Sequence, residues 1–433
     1  VNVYGAEDLS SMFSEGKASG QIREFSISRA IDDTRDVADN DYTRTANTVG
    51  GYLKYETASL KGLSLGTAFY TTNGFGLGGN KATNREVDPS LLGKDNDGYS
   101  ILGEAYLQYK YGNTTFKGGR QKLDTPLAGS DDARMLPNLF EAYVLSNTDI
   151  KDVTLIASAA SPANQILAAT AGYSATDDKN QVGDFVNMGD YAIGKTTDGV
   201  TAVAAIYKMN DYVSAQLWDY YAHDILNAVY GQVDLKWKCL VSDSVHPFFS
   251  AQVIKENDVG DKLLKNIGGD GSIDSLYWGA KFGASIENFT AYAAYSETGE
   301  NSATDTSYAN AIITPWGGMP AFTQGMVTRH MFLAGTKASK VAASYNFKAF
   351  GPDLSTTLYY ANYDMANYNG YTENDASEAG FDVIYKPELV KNLSLRLRGN
   401  YANDFYVKET STVALSNGAV SWSEYRFIAN YNF

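Results

Sequence analysis

Near the end of this 433-residue sequence, Arg396 and Arg398 stand two positions apart in Leu393-Ser394-Leu395-Arg396-Leu397-Arg398, and Arg426 follows in Glu424-Tyr425-Arg426-Phe427. An i, i+2 spacing places two side chains on one face of an extended strand. A guanidinium grips a carboxylate through two parallel hydrogen bonds, so the chemistry on offer is recognition of carboxylates. Like charges this close repel, which a purely structural patch would avoid. Lys54, Lys110, Lys236, Lys238, Lys281, Lys340 and Lys348 share the polar side of other alternating segments and extend the cationic set, with Asp234 among them. Any single one of these lysines reads more readily as a solvated wall residue than as a substrate contact.

Other chemistry is thinly represented. His223, His246 and His330 lie in unrelated segments, and neither a serine-centred elbow nor a His-Glu-x-x-His motif occurs, so no enzyme is expected. The single cysteine, Cys239, supports neither a disulfide framework nor a thiolate metal cluster. Asp95-Asn96-Asp97-Gly98 has oxygen donors spaced like a calcium loop but lacks the closing Glu. No cofactor or metal is expected. A net charge of −15 argues against a nucleic-acid partner, which needs a basic surface.

The elements that position these residues follow from periodicity. No apolar run approaches the roughly 20 residues of a membrane-spanning helix. Period-two segments of the length of a tilted transmembrane strand recur instead, at 20–30, 48–56, 62–70, 100–111, 114–121, 139–147, 151–158, 200–208, 211–219, 226–239, 245–254, 276–285, 288–296, 338–348, 354–363, 378–386, 392–401 and 422–433. Connections alternate between short turns, such as Gly112-Asn113, and long loops such as 122–138, 159–199 and 297–337; only 220–225 breaks the rule. Leu393, Leu395, Leu397, Gly399 and Tyr401 alternate with Ser394, Arg396, Arg398 and Asn400, greasy against wet. The 32 tyrosines gather near segment ends, as interfacial girdles require. The predicted fold is all-β: one closed antiparallel transmembrane β-barrel of 18 strands, with short periplasmic turns and long extracellular loops, some folded into the pore. Residues 1–19 read as a periplasmic lead and 20–433 as the barrel. The chain starts at Val1 with no charged-then-apolar leader, as expected of a mature exported chain.

At roughly 16–18 strands side chains no longer fill a barrel, leaving a channel. Arg or Lys facing lipid at the midplane would cost about 2–4 kcal/mol, which sends the alternating cations inward. A cationic lumen enriches anions and carboxylate-bearing zwitterions. Loops 122–138 and 297–337 are long enough to narrow the mouth. Pro126 and Pro137 bracket the first, and Asp131, Asp132 and Arg134 on it are candidate constriction residues, although Arg134 could equally pin the loop to the wall.

Several stretches together resemble the OprD (Occ) family of substrate-specific outer-membrane porins over nearly the full length. Ile22-Arg23-Glu24-Phe25-Ser26-Ile27-Ser28-Arg29 is similar to that family's opening strand. Gly119-Arg120-Gln121 through Thr125-Pro126, then Asp132-Ala133-Arg134-Met135-Leu136-Pro137, resembles its inward third loop, adding Arg120 to the constriction set. Asn392 to Arg398 and Glu424 to Phe427 resemble its last two strands. The resemblance implies a monomer or weak homo-oligomer in lipid and lipopolysaccharide of the bacterial outer membrane. It also implies an arginine ladder, carried here by Arg29, Arg396, Arg398 and Arg426, that guides small anionic or zwitterionic solutes past an electronegative patch. Lys236, Lys238 and Lys281 join the expected pore lining. Phe25 and Ile27 read as lipid-facing, and Arg29 shares their parity, so its place in the lumen needs a bulge or a strand that has already left the membrane. A weakly selective pore and a loop-plugged scaffold barrel are the competing readings.

Overall fold

The computed structural model describes residues 5–33, 41–74, 87–88, 90–93, 97–131, 134–159, 165–167, 184–239, 242–302, 304–305, 308–326, 328–366, 375–405 and 420–433. The wall begins with β1 (Lys17–Asp33), β2 (Tyr42–Glu56), β3 (Leu63–Gly74), β4 (Tyr99–Tyr111), β5 (Thr114–Gln121), β6 (Leu139–Asn147) and β7 (Val153–Ser158). Two short strands, β8 (Gln165–Leu167) and β9 (Val186–Asn187), belong to the following loop. The wall resumes with β10 (Val200–Lys208), β11 (Val213–Ala222), β12 (Leu226–Lys236), β13 (Val245–Asp258), β14 (Asp274–Ile286) and β15 (Phe289–Thr298). It ends with β16 (Lys337–Asn346), β17 (Asp353–Asp364), β18 (Ala376–Lys386), β19 (Leu393–Phe405) and β20 (Val420–Asn432).

Every wall strand pairs antiparallel with the next, β7 pairs with β10 across the intervening loop, and β20 pairs with β1 from Gln21↔Asn432 to Asp33↔Val420. The sheet holds twenty strands; without β8, which pairs with β6, and β9, which pairs with β8, the closed ring has 18. Closure removes both sheet edges, so each strand satisfies its backbone polar groups on its neighbours, as a bilayer demands.

Side-chain alternation divides lipid from lumen. Tyr425, Phe427 and Tyr431 look outward on β20 while Glu424, Arg426 and Ile428 are buried inside. The first strand reverses the expected polarity: Arg23, Phe25, Ile27 and Arg29 are all buried on the lumen side, and Ile22 is 54% exposed on the other. Arg29 thus reaches the lumen without a bulge, and the reading of Phe25 and Ile27 as lipid-facing is corrected. The physical reason is a cluster inside the barrel, where Leu91, Met135 and Leu136 from inward-folded loops cover Phe25, Ile27, Tyr70 and Leu139. Burying each large apolar side chain contributes about 1.5–3 kcal/mol, whichever side of the sheet it faces.

A second cluster fills the upper lumen. Leu127, Ile312, Trp316, Met331 and Phe332 from the two long loops pack on the wall residues Tyr220, Tyr277, Tyr363 and Phe405. The two loops clasp each other, with Gly129 N donating to Trp316 O at 3.0 Å, and Trp316 Nε1 donates at 3.0 Å to Met188 O of the loop between β7 and β10. At the opposite end, the short helix α1 (Leu9–Ser14) is capped by Asp8 and tucks in the buried Met12. Ala58 N donates to Met12 O at 2.9 Å.

Candidate pore constriction and its charged wall

The last strands build the site. Arg396 and Arg398 lie on β19, Asp382 faces them from β18, and Arg426 faces Arg398 from β20. Arg396 Nε donates to Asp382 Oδ1 at 2.8 Å, and Arg398 Nε lies 3.5 Å from Oδ2. The two-residue stacking of like charges is therefore held by an acid on the neighbouring strand. Of the two, Arg396 is the more exposed, and Arg398 is the one that lines a cavity.

This cavity of about 440 Å³ is lined by Asp131, Lys281, Tyr292, Phe322, Lys340 and Arg398, with the loop stretch Gln324-Gly325-Met326 on its near side. Lys281 rises from β14, its ammonium 4.6 Å from the centre of the Phe322 ring and 5.7 Å from Tyr292. Lys340 of β16 donates to the Gln324 carbonyl at 2.6 Å and lies 4.8 Å from the Tyr359 ring. Among the described lining residues, three cations thus meet one carboxylate. Cation–π contacts and a carbonyl hold Lys281 and Lys340 in place without neutralising them.

Buried Glu378 pins the loop that forms this wall, accepting from Met326 N at 2.6 Å, Tyr359 Oη at 2.5 Å and Asn400 Nδ2 at 3.0 Å. Tyr363 adds a donor to Thr323 O and an acceptor for Gly325 N. Lower in the lumen, a second cavity of about 340 Å³ is lined by Arg23, Lys54, Glu104, Lys117, Lys122 and Asp124 among others. Lys54 pairs with Glu104 at 3.1 Å, and the Lys117 ammonium sits 3.7 Å from the centre of the Tyr106 ring.

The sequence-predicted residues fall into distinct places. Arg398 and Lys281 line one cavity with Asp131, whose backbone adopts a left-handed φ of 39°. Arg29 and Arg426 instead sandwich Glu424, and Arg134 adds its charge to the same group. Arg426 has no exposed surface at all. Arg120 lies 3.5 Å from Glu141 and stacks 4.2 Å over the Phe185 ring. Lys236 closes β12 and lines a wider vestibule with Asp234 and Lys281, whereas Lys238 lies beyond the end of that strand. Lys348 likewise lies in the turn after β16. Asp132 lies outside the described residues, as do Asp95 and Asn96 of the calcium-like stretch. Elsewhere on the loop between β15 and β16, Thr323 bonds Ser296, Arg329 donates to Thr314 O, and His330 packs 4.4 Å from Phe405. Sequence reasoning missed Asp382, Glu424 and Glu378. Their signal was an acid at inward parity on a strand that pairs with an arginine strand, visible only once the register is known.

A closed ring of transmembrane strands with a loop-narrowed, charged lumen defines an outer-membrane porin, a channel of the bacterial outer membrane. The sequence matches the model of the outer membrane porin, OprD family, over residues 12–433. The chain belongs to that family. Pseudomonas aeruginosa OccK9 (OpdG) superposes with a TM-score of 0.73 at 20% identity, covering 98% of this chain and 99% of that one. P. aeruginosa OccK2 (OpdF), solved in complex with glucuronate, gives 0.70 at 17% identity over 98% and 99%. P. aeruginosa OpdK, solved with vanillate, gives 0.71 at 16% identity over 96% and 98%. No curated relative matches the chain by sequence.

Proposed function

We propose that this porin passes small carboxylate-bearing solutes selectively, by diffusion, with Arg398, Lys340 and Lys281 as the groups that draw the carboxylate through the constriction. The observation that carries this reading is the convergence of those three cations on one cavity, where Asp131 is the one carboxylate among the described lining residues. A narrow lumen between low-dielectric walls focuses such a field and enriches anions at its centre. Arg398 offers a fork matched to a carboxylate, while the two ammonium groups act as point charges. The three hold no covalent chemistry, so the solute leaves as it entered. Glucuronate and vanillate, bound by two relatives, are carboxylates of the size this space admits.

Planar-bilayer recordings in a salt gradient test the reading. The wild-type channel is expected to reverse on the anion-selective side, and Lys340→Gln combined with Arg398→Gln to move the reversal potential toward the cation side by tens of millivolts, an expectation set by charge focusing. Liposome uptake should favour glucuronate over a neutral sugar of equal size. A channel that passes both at the same rate, or whose reversal potential ignores the double substitution, is a general pore and ends the proposal.

A further inference from the structure

Lys281 belongs to two spaces. Besides the constriction cavity it lines a larger one of about 610 Å³ on the side of the short turns, together with Lys208, Ser214, Asp234, Lys236 and Phe248. Its ammonium lies among rings from both: Phe322 and Tyr292 of the constriction at 4.6 and 5.7 Å, and Phe248 of this vestibule at 5.9 Å.

Strand register explains the sharing. Lys340 pairs with Ala294, Ala294 with Lys281, Lys281 with Ser250, Ser250 with Asp234, Asp234 with Ser214, and Ser214 with Lys208. These residues form one row across β16 to β10. Hydrogen bonds between antiparallel strands run perpendicular to the strands, and transmembrane barrel strands tilt by roughly 35–45°, so the row is a ramp. With strands about 4.8 Å apart, each step descends about 3 Å. The ramp begins at Lys340, near the loop end of β16, and finishes on Lys208, the last residue of β10, beside the turn 209–212.

Charge on the lower ramp is open to a solute. Asp234 already accepts from Ser250 Oγ at 2.6 Å and Gln232 Nε2 at 2.7 Å. Asp211, the other acid of the vestibule, stands in the turn. Among the described residues Lys208, Lys236 and Lys281 form no ion pair, whereas Lys54 and Arg396 do.

Given a carboxylate-selective constriction, we propose that the vestibule is a second carboxylate site, supplied from the constriction down this ramp, with Lys236 and Lys208 as the groups that hold the solute before it leaves. An ammonium is a compact point charge without the bidentate geometry of a guanidinium, which suits brief retention and release. Asn210 and Ser214 beside the lysines donate and accept, and so match a carboxylate that also carries hydroxyls.

The test is single-channel current in planar bilayers with glucuronate added to one chamber at a time, the orientation of each channel being read afterwards from the chamber in which protease cuts the long loops. Glucuronate is expected to interrupt the wild-type current from either face. Lys208→Gln with Lys236→Gln should raise the half-blocking concentration at the short-turn face about tenfold relative to that at the loop face, the loss of hydrogen bonds to charged groups. Lys208→Arg with Lys236→Arg should keep the wild-type ratio. A wild type blocked from the loop face alone, a ratio unmoved by the glutamine pair, or one moved as far by the arginine pair overturns the vestibule site and leaves the constriction standing. Block from neither face overturns both, and the sidedness of the wild type is measured without any variant having to fold.

Discussion

At the scale of single residues, the lumen is a set of cations sorted by their counter-ions. Arg396 and Arg398 share Asp382, Arg29 and Arg426 share Glu424, and Lys54 is matched by Glu104, whereas Lys281 and Lys340 rest on aromatic faces. The effective charge at the constriction is therefore smaller than a count of inward arginines suggests. Asp382→Asn removes the counter-ion and leaves both guanidiniums in place. Anion preference should rise in the resulting channel, read as a larger reversal potential in the same salt gradient; an unchanged value would mean that Arg398 is not exposed to the permeating ion. Lys340 and Asp382 were as visible in the sequence as Arg398, but their worth depended on what each one faces.

At the scale of elements, the long loop 299–336 is a wall made by docking, and its docking points are specific. Gly325 approaches Glu378 so closely that an added Cβ would lie 2.0 Å from Oε2. Gly325→Ala should lift this stretch off the wall at a cost of about 1–3 kcal/mol, as overpacking does, and appear as larger or noisier single-channel conductance with no loss of folded barrel. The same loop carries His330 in a short 3-10 turn, where burial pushes the imidazole down to about 3. Once undocked, the ring titrates near its ordinary 6.5. Above that pH both states are neutral and docking is indifferent to pH. Below it the undocked loop binds a proton that the docked loop refuses, so docking weakens steadily as pH falls from 6.5 toward 3. Protease sensitivity within 299–336 should therefore rise between pH 7.5 and pH 4.5 in the wild type and stay flat in His330→Phe. Equal cleavage of the wild type at both values would place the imidazole in water. The length of this loop announced its importance, yet its route did not follow from the sequence, because it is fixed by side chains such as Glu378 and Tyr363 that lie on distant strands.

At the scale of the whole molecule, the barrel closes along β1 and β20, and Glu424 is the charged group at that seam, buried between Arg29 across it and Arg426 on its own strand. Removing one partner of a buried ion pair leaves an uncompensated charge, at a cost of about 3–5 kcal/mol. Glu424→Ala should lower the temperature at which the folded barrel unfolds in a gel-shift assay, with Glu424→Gln intermediate. If both variants melt with the wild type, the seam draws its strength from the backbone ladder alone.

What the sequence determined by itself is the wall. Period-two alternation and the spacing of turns placed all 18 strands, since a strand between lipid and water has only two faces and records both in its residues. Tertiary structure alone decided three matters: which cation meets which acid, where the loops dock, and which way β1 faces. Phe25 and Ile27 look identical whether they meet lipid or an inward-folded loop, because apolar burial is indifferent to the identity of what covers it. Only the packing of Leu91, Met135 and Leu136 onto them turned that strand's greasy side toward the lumen and its carboxylate toward the membrane.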